Sequence, residues 1–582
     1  MIVSVWAPHG KSVELVTAGA RVPLTAGERG YWEADVEPAA LEGGYRYSID
    51  GGRALPDPRS RWQPEGVHGA SFPVDMAALR DRPAASFKPA PLGDAVIYEL
   101  HIGTFTPEGT YAAARERLSH LVELGVTHVE LMPLATFPGR HGWGYDGVDL
   151  FAPLPAYGTP ADLAALIDAC HARGLAVLLD VVYNHLGPDG NYLGAYGPYF
   201  TDRVKTPWGE AINYDGAGSD EVRRFFIDNA LMWLRDYRFD GLRLDAVHAI
   251  FCFEATHVLE ELAADVRRLA AHTGRELVLI AESDMNDPRL IRPAARGGLG
   301  LDAHWVDDLH HALHRHFTGE TAGYYEDFHG LADVAAALRR GYVYQGQYSA
   351  FRRRRHGRPP AGTTADQLVV CSQNHDQIGN RARGERLSMM LELPELKAIA
   401  ALTLLAPFVP LLFQGEEWGA RTPFLYFTDH QDKELGRLVS EGRAREFESF
   451  KWAGELPDPQ APETFERSKL DWSELARPAH AELLDWYRRL LALRHARPTA
   501  RRRDRAKVKF DAKARWLRLE HAGLVSVLNL ADRPQSVVMP AGGWTLTLSS
   551  DGAREPAAEV AVERVEGSAE MPGRATRVYR RA

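Results

Sequence analysis

Gly241-Leu242-Arg243-Leu244-Asp245-Ala246-Val247-His248 is the stretch whose reading decides the fold. Leu242 and Leu244 alternate with Arg243 and Asp245, and the chain enters through Phe239-Asp240. The pattern reads as a short buried strand. Residues two apart on a strand share a side, so Arg243 and Asp245 point the same way. A buried carboxylate without a partner is costly, and Arg243 is the natural charge for Asp245. A neighbouring guanidinium favours the ionised carboxyl, the state a nucleophile needs. A structural ion pair at a strand end accounts for this stretch alone equally well.

Other apolar runs end in the same manner. Leu175–Leu179 leads into Asp180 and then Asn184-His185; Leu277–Ala281 leads into Glu282-Ser283; Gln367–Ser372 leads into Gln373-Asn374-His375-Asp376. Buried parallel strands that each end in polar residues converge on one face of a barrel. The expected fold class is therefore α/β, a (β/α)₈ TIM barrel, with its chemistry at the carboxyl ends of the strands.

Asp180-Val-Val-Tyr-Asn184-His185, Gly241-Leu-Arg243-Leu-Asp245, Ala281-Glu282-Ser283 and Asn374-His375-Asp376 resemble, in order, the four motif regions of the α-amylase superfamily of glycoside hydrolases. Each segment alone is a weak signal; together, in order and on strand ends, they are specific.

At 582 residues the chain is too long for one ordinary domain. Hydrophobic content of 45% and charged content of 25% are those of a globular protein in water. A net charge of -10 argues against phosphate or nucleic-acid binding as the main role. The basic run Phe351-Arg352-Arg353-Arg354-Arg355 therefore reads as a solvated loop or an ion-pair cluster at the barrel edge. Cys170, Cys252 and Cys371 are scattered and odd in number, as expected of free thiols in a reducing cytoplasm. Met1–Trp6 begins as a strand and lacks the pattern of a secretion signal, so a cytoplasmic protein is expected. The apolar region Ile399–Phe413 carries Pro407 and Pro410 and reads as a barrel helix followed by the eighth strand, not as a membrane span.

Short runs at Ser12–Val16, Tyr31–Val36 and Tyr45–Ile49 predict an N-terminal β-sandwich over 1–88. The barrel is expected over 89–498, with helices at about Ala112–Leu124, Ala161–Ala172, Asp220–Tyr237 (capped by Ser219), Ala255–Ala271 and Ala479–His495. A long irregular segment, about 186–218, reads as a functional loop beside the cleft. Residues 419–480 read as irregular, rich in acids and proline around Glu455–Pro459. Trp516–Leu519, Leu524–Leu528 and Trp544–Leu548 predict an antiparallel β-domain over 499–582.

The resemblance implies the roles. Retaining glycosidases place two carboxyl groups about 5 Å apart across the scissile bond. Asp245 corresponds to the nucleophile, Glu282 to the proton donor and Asp376 to the acid that holds hydroxyls of the distorted sugar. His185 and His375 correspond to hydroxyl contacts, Tyr145 to a stacking platform, and Asp180 and Asn184 to braces of the loop. Arg243, His248 and Gln377 join the substrate-binding set. His248 stands where many superfamily members have lysine, which argues against ordinary endo-acting amylase behaviour.

Gly142–Val148, Tyr183–Tyr192, Tyr344–Tyr348 and Asn374–Arg381 resemble the malto-oligosyltrehalose trehalohydrolase family over nearly the whole chain. That resemblance implies hydrolysis of the α-1,4 bond beside the terminal trehalose of a malto-oligosyl trehalose. The alternatives are a glucan branching enzyme, which shares the N-terminal sandwich, and a glucan-binding protein without turnover. Walls around the trehalose side fall on Asn191–Asp215 and Trp305–His310, with Tyr192, Trp208, Asp308 and His310 as candidate contacts. The histidines at 310, 311, 314 and 316 do not share one helix face, so a metal is not expected there, and no cofactor is expected elsewhere. The partner is the glucan substrate alone, with the chain as a monomer or homodimer.

Overall fold

The structure is a computed structural model that describes residues 1–83, 86–206, 208–448, 456–497, 505–552 and 564–582. The expected boundary at 498/499 and Glu455 lie outside the described residues.

Eight parallel strands close into a barrel: Ile97–Leu100, His128–Leu131, Ala176–Val181, Gly241–Leu244, Val278–Glu282, Ala303–Val306, Leu368–Cys371 and Val409–Phe413. Neighbours in the chain are neighbours around the barrel. Each strand is apolar along most of its length because helices cover it outside and side chains fill it inside. Ile97, Leu178, Ile280, Trp305, Val369 and Leu411 pack together as an inner layer. The fourth strand starts with glycine for a steric reason: a Cβ at Gly241 would come within 2.5 Å of the Val278 carbonyl oxygen. Its register sets Arg243 opposite Asp180 on the third strand and Ile280 on the fifth.

The covering helices follow local signals. Thr159 and Asp162 form a reciprocal cap at the start of Pro160–His171. Gly125, at φ 99°, ends Leu118–Leu124 in the left-handed conformation that glycine tolerates. The single helix expected over 112–124 is two, Tyr111–Glu116 and Leu118–Leu124, joined at Arg117. Ser219 is not a cap: Gly218, at φ 79°, occupies that position and Ser219 is the first residue of Ser219–Met232. Asp220 and Glu221 serve that helix start instead, through their charge. The helix then widens to a π-turn over Trp233–Tyr237. Leu393–Leu404 followed by the eighth strand is the helix–strand pair read from the apolar region.

Two segments read as irregular carry structure. Residues 193–212 contain the short helix Leu193–Tyr196 and an antiparallel hairpin, Phe200–Thr206 with Gly209–Ile212. Within 419–480, Lys433–Glu448 is a helix. It is so poor in apolar residues that periodicity does not announce it, and Arg437 pairs with both Glu434 and Glu441 along its surface.

The N-terminal strands form two three-stranded antiparallel sheets. Their inner residues Val3, Val5, Leu15 and Tyr47 join the same buried cluster as the barrel. At the other end of the chain, a six-stranded antiparallel sheet includes Trp516–His521, Leu524–Asn529, Trp544–Ser549 and Ala575–Arg581. Among the described residues, no helix is long and apolar enough to cross a membrane.

Candidate active site

Arg243 is the hub of the strand ends. Its side chain is 1% exposed, and its Nη1 donates to Asp180 Oδ2 at 2.7 Å and to Asp245 Oδ1 at 2.8 Å. Its Nη2 lies 3.8 Å from Glu282 Oε2. The guanidinium rests over the Trp305 ring, 4.6 Å from its centroid, a contact that suits a cation removed from water. One charge thus stands among three carboxyl groups from adjacent strands. Both hydrogen bonds come from the one nitrogen, Nη1, which leaves Nη2 turned toward Glu282.

Asp245 is held on its other side by Asn184, whose Nδ2 donates to Asp245 Oδ2 at 2.7 Å and to the Asp245 carbonyl at 3.0 Å. The expected loop brace is therefore a direct partner of the carboxyl. Asn184 Oδ1 in turn meets His185 Nδ1 at 2.6 Å, and His185 Nε2 meets the Tyr145 carbonyl at 3.0 Å.

The residue after Asp245 has an unusual backbone. Ala246 sits at φ 38°, ψ 51°, sparsely populated for a residue with a Cβ. That turn aims its N–H at Glu282 Oε2, 2.5 Å away. Burial pushes the Glu282 carboxyl well above the ordinary carboxylate range. Arg243 opposes this shift, whereas Asp245, Asp307 and Asp376 reinforce it.

Asp376 is the second residue of the short helix His375–Gly379, which Asn374 and Gln377 cap reciprocally. His375 Nδ1 pairs with Glu99, and its Nε2 donates to the Tyr145 hydroxyl at 2.8 Å. That hydroxyl donates to Asp180 Oδ2 at 2.6 Å, which closes a chain back to Arg243. Burial opposes charge on the His375 imidazole, but the carboxylates of Glu99 and Asp376 outweigh it and push the pKa up to about 9. Tyr145 stacks on His375 with ring centroids 5.3 Å apart. Every ring nitrogen of His185 and His375 already has a protein partner, so a sugar hydroxyl would share these groups.

A cavity of about 660 Å³ opens beside these acids, lined by Asp284, Asp307, His311, Arg352, Asp376 and Gln377 among others. Arg352, from the basic run, pairs with Asp284 at 2.7 Å. Two expected contacts are turned away. Asp308 Oδ2 accepts from the backbone N–H groups of Val343 and Tyr344 and from Asn286 Nδ2. His310 is buried between the Ser372 carbonyl and the Tyr325 hydroxyl. Their sequence neighbours Asp307 and His311 line the cavity in their place. Tyr192 packs toward the N-terminal region, its hydroxyl 2.7 Å from His68 Nδ1. Trp208 stands at the hairpin end and lies flat on His185, centroids 4.4 Å apart, while remaining 49% exposed. His248 is exposed at the edge of the site. Among the described residues, no group of three or more His, Cys, Asp or Glu is arranged to hold a metal ion.

Asn184 was expected only as a loop brace and Asp307 only as part of the Trp305–His310 wall, while Glu99 and His311 were absent from the expected contacts. Glu99 carried a signal too, as the charged residue inside the apolar first strand.

A closed eight-stranded barrel with paired carboxyl groups at its strand ends defines a glycoside hydrolase of the α-amylase class. The model of the alpha amylase catalytic domain matches residues 84–196. The chain is 50% identical to a malto-oligosyltrehalose trehalohydrolase of Rhizobium sp. (strain M-11), over 94% of each chain. It is 52% identical to that of Arthrobacter ramosus, over 85% of this chain and 87% of the relative. A crystal structure of a Salmonella typhimurium protein, 38% identical, superposes with a TM-score of 0.88 and covers 100% of this chain and 97% of the other. The chain belongs to the malto-oligosyltrehalose trehalohydrolase family.

Proposed function

We propose that this enzyme hydrolyses the α-1,4-glucosidic bond next to the terminal trehalose unit of a malto-oligosyl trehalose, with retention at the anomeric carbon and release of trehalose. Asp245 attacks the anomeric carbon while Glu282 gives its proton to the departing glucosidic oxygen. This yields a glycosyl ester on Asp245 and free trehalose. Glu282, now a carboxylate, takes a proton from water as the water oxygen attacks the anomeric carbon and the Asp245 carboxylate departs. The malto-oligosaccharide leaves, and both carboxyl groups return to their starting states. Asp376 holds hydroxyls of the ring that distorts toward the cationic transition state.

The observation that carries this reading is the split between the two carboxyl groups. Asp245 receives Arg243 Nη1 and Asn184 Nδ2, which favour a charged nucleophile. Glu282 is pushed by burial toward keeping its proton, as a general acid requires. Tyr145, His185, His375 and Gln377 line the same end of the barrel as sugar contacts, and Trp208 offers a flat face at its rim. The division into 1–88, 89–498 and 499–582, a cytoplasmic location, and a monomeric or homodimeric state belong to the same reading.

Incubation with maltopentaosyl trehalose should release trehalose and maltopentaose. New α-1,6 branches on amylose would point to a branching enzyme instead. Saturable maltodextrin binding without turnover at high protein concentration would point to a glucan-binding protein.

A further inference from the structure

We propose that Glu130, in the barrel interior below the catalytic acids, is a positioning residue: an uncharged carboxyl that leaves Arg243 to Asp180 and Asp245, and His375 to Glu99. This role goes beyond the reaction proposed above and holds whichever sugar leaves. Glu130 is the third residue of the second strand, His128–Leu131, and is 1% exposed. Its register partners are Glu99 on the first strand and Leu178 on the third, and Leu178 belongs to the inner layer. Register partners share a side of a sheet, so Glu130 and Glu99 both face the interior.

Among the described residues, neither carboxyl oxygen of Glu130 has a hydrogen-bond partner. The cations that face it are already engaged. His375 pairs with Glu99, and Arg243 Nη1 bonds both Asp180 and Asp245. His128 lies on the same side two residues earlier, and burial lowers its pKa to about 4, so it adds no charge. The other strands bring Ile280, Trp305, Val369, Leu411 and the Cys371 thiol to the interior. A buried carboxylate without a counter-charge is far costlier than a buried neutral acid. Burial, then the neighbouring Glu99 and Asp180, push the Glu130 carboxyl well above the ordinary range, and Arg243 and His375 oppose them. An ionised Glu130 would compete with Glu99 for His375, and with Asp180 and Asp245 for Arg243. Both cations hold the strand-end network, His375 through Tyr145 and Arg243 directly at Asp245. The proton on Glu130 keeps these charges in their pairs.

Glu130→Gln keeps the shape of the neutral acid and cannot ionise. The test compares log kcat/KM against pH for the parent and Glu130→Gln on a substrate both turn over, with melting curves over the same range. Glu282 and His375 titrate in both enzymes, whereas Glu130 titrates only in the parent. The alkaline limb of the parent should therefore be steeper by one proton, a further loss of about tenfold per pH unit once Glu130 ionises. A carboxyl raised in the folded state removes stability as pH rises above its unfolded value, about 4.3 for glutamate. Glu130→Gln should accordingly gain on the parent in melting temperature above that pH. Superimposable alkaline limbs would overturn the inference. So would a parent that gains on Glu130→Gln as pH rises, the behaviour of an ionised and paired carboxylate. Glu130→Met, which cannot ionise either, repeats the comparison if Glu130→Gln does not fold, and the same outcomes decide it. Failure of both neutral variants to fold would also overturn it, since an uncharged side chain is what the interior is proposed to hold.

Discussion

The backbone N–H of Ala246 donates to Glu282 Oε2 at 2.5 Å, so the residue beside the proposed nucleophile anchors the proposed acid. The contact exists because Ala246 takes a left-handed conformation directly after the fourth strand. A non-glycine residue held there costs on the order of 1–3 kcal/mol, which the surrounding packing must offset.

Branching at Cβ makes that conformation harder to hold. Ala246→Val should destabilise the protein by about 1–3 kcal/mol and lower kcat/KM, because the turn that presents the N–H relaxes. Ala246→Gly should retain most of its stability, since relief of strain opposes the greater freedom of the unfolded chain. Urea denaturation of the pair checks this. Equal stability of valine and alanine at 246 would contradict it.

Glu282 has a carboxyl shifted upward in the folded state. Turnover should therefore fall on the alkaline side as Glu282 loses its proton. Glu282→Gln should cost about 10²–10⁴-fold in kcat. Stability should move the other way. A raised carboxyl binds more protons folded than unfolded, so it removes stability as pH rises above the unfolded value. Glu282→Gln should accordingly be more stable than the parent at neutral pH, and the difference should vanish in acid. Melting curves across pH check the sign.

His375 supplies the opposite dependence. Its pKa of about 9 lies above the ordinary histidine value, so its contribution is complete below about pH 6.5. That contribution is lost as pH rises through 9. Glu99→Gln should flatten this alkaline loss and lower stability at neutral pH. A histidine NMR titration that places His375 near its ordinary value in the parent would contradict the charge assignment.

Asn184 touches Asp245 through the same nitrogen that bonds the Asp245 carbonyl. Asn184→Ala should lower kcat about 10- to 10²-fold, as a hydrogen bond to a charged group is worth roughly 1.5–3 kcal/mol. Asn184→Asp should be worse, because it sets a second carboxylate against Asp245. Steady-state kinetics rank the two.

The barrel and its principal acids were legible because each lies where an apolar run stops. Leu242 and Leu244 bury the fourth strand and leave Arg243 and Asp245 on the shared inner side. Glu282 and Asp376 were readable for the same reason. The choice between Asp307 and Asp308 was not, since it turns on a strand that ends at Val306 and a helix that begins one residue later. A two-residue period cannot resolve which of two consecutive acids faces inward once the strand has ended. His310 and His311 share that ambiguity. Helix Lys433–Glu448 escaped because its surface charges leave no apolar stripe to count. Asn184 read as a loop residue because its reach to Asp245 spans two strands, a tertiary contact with no local signature.

The pairing of Asp245 with Glu282 is tested most directly by trapping the glycosyl ester. The Glu282→Gln variant, treated with an α-glucosyl fluoride whose good leaving group needs no acid, should form the ester and hydrolyse it slowly. Peptide mass spectrometry should then find one added glucosyl group on the peptide that carries Asp245. Label on Asp376 or any other carboxyl group, or fluoride release with no covalent intermediate and with inversion at the anomeric carbon, would contradict it.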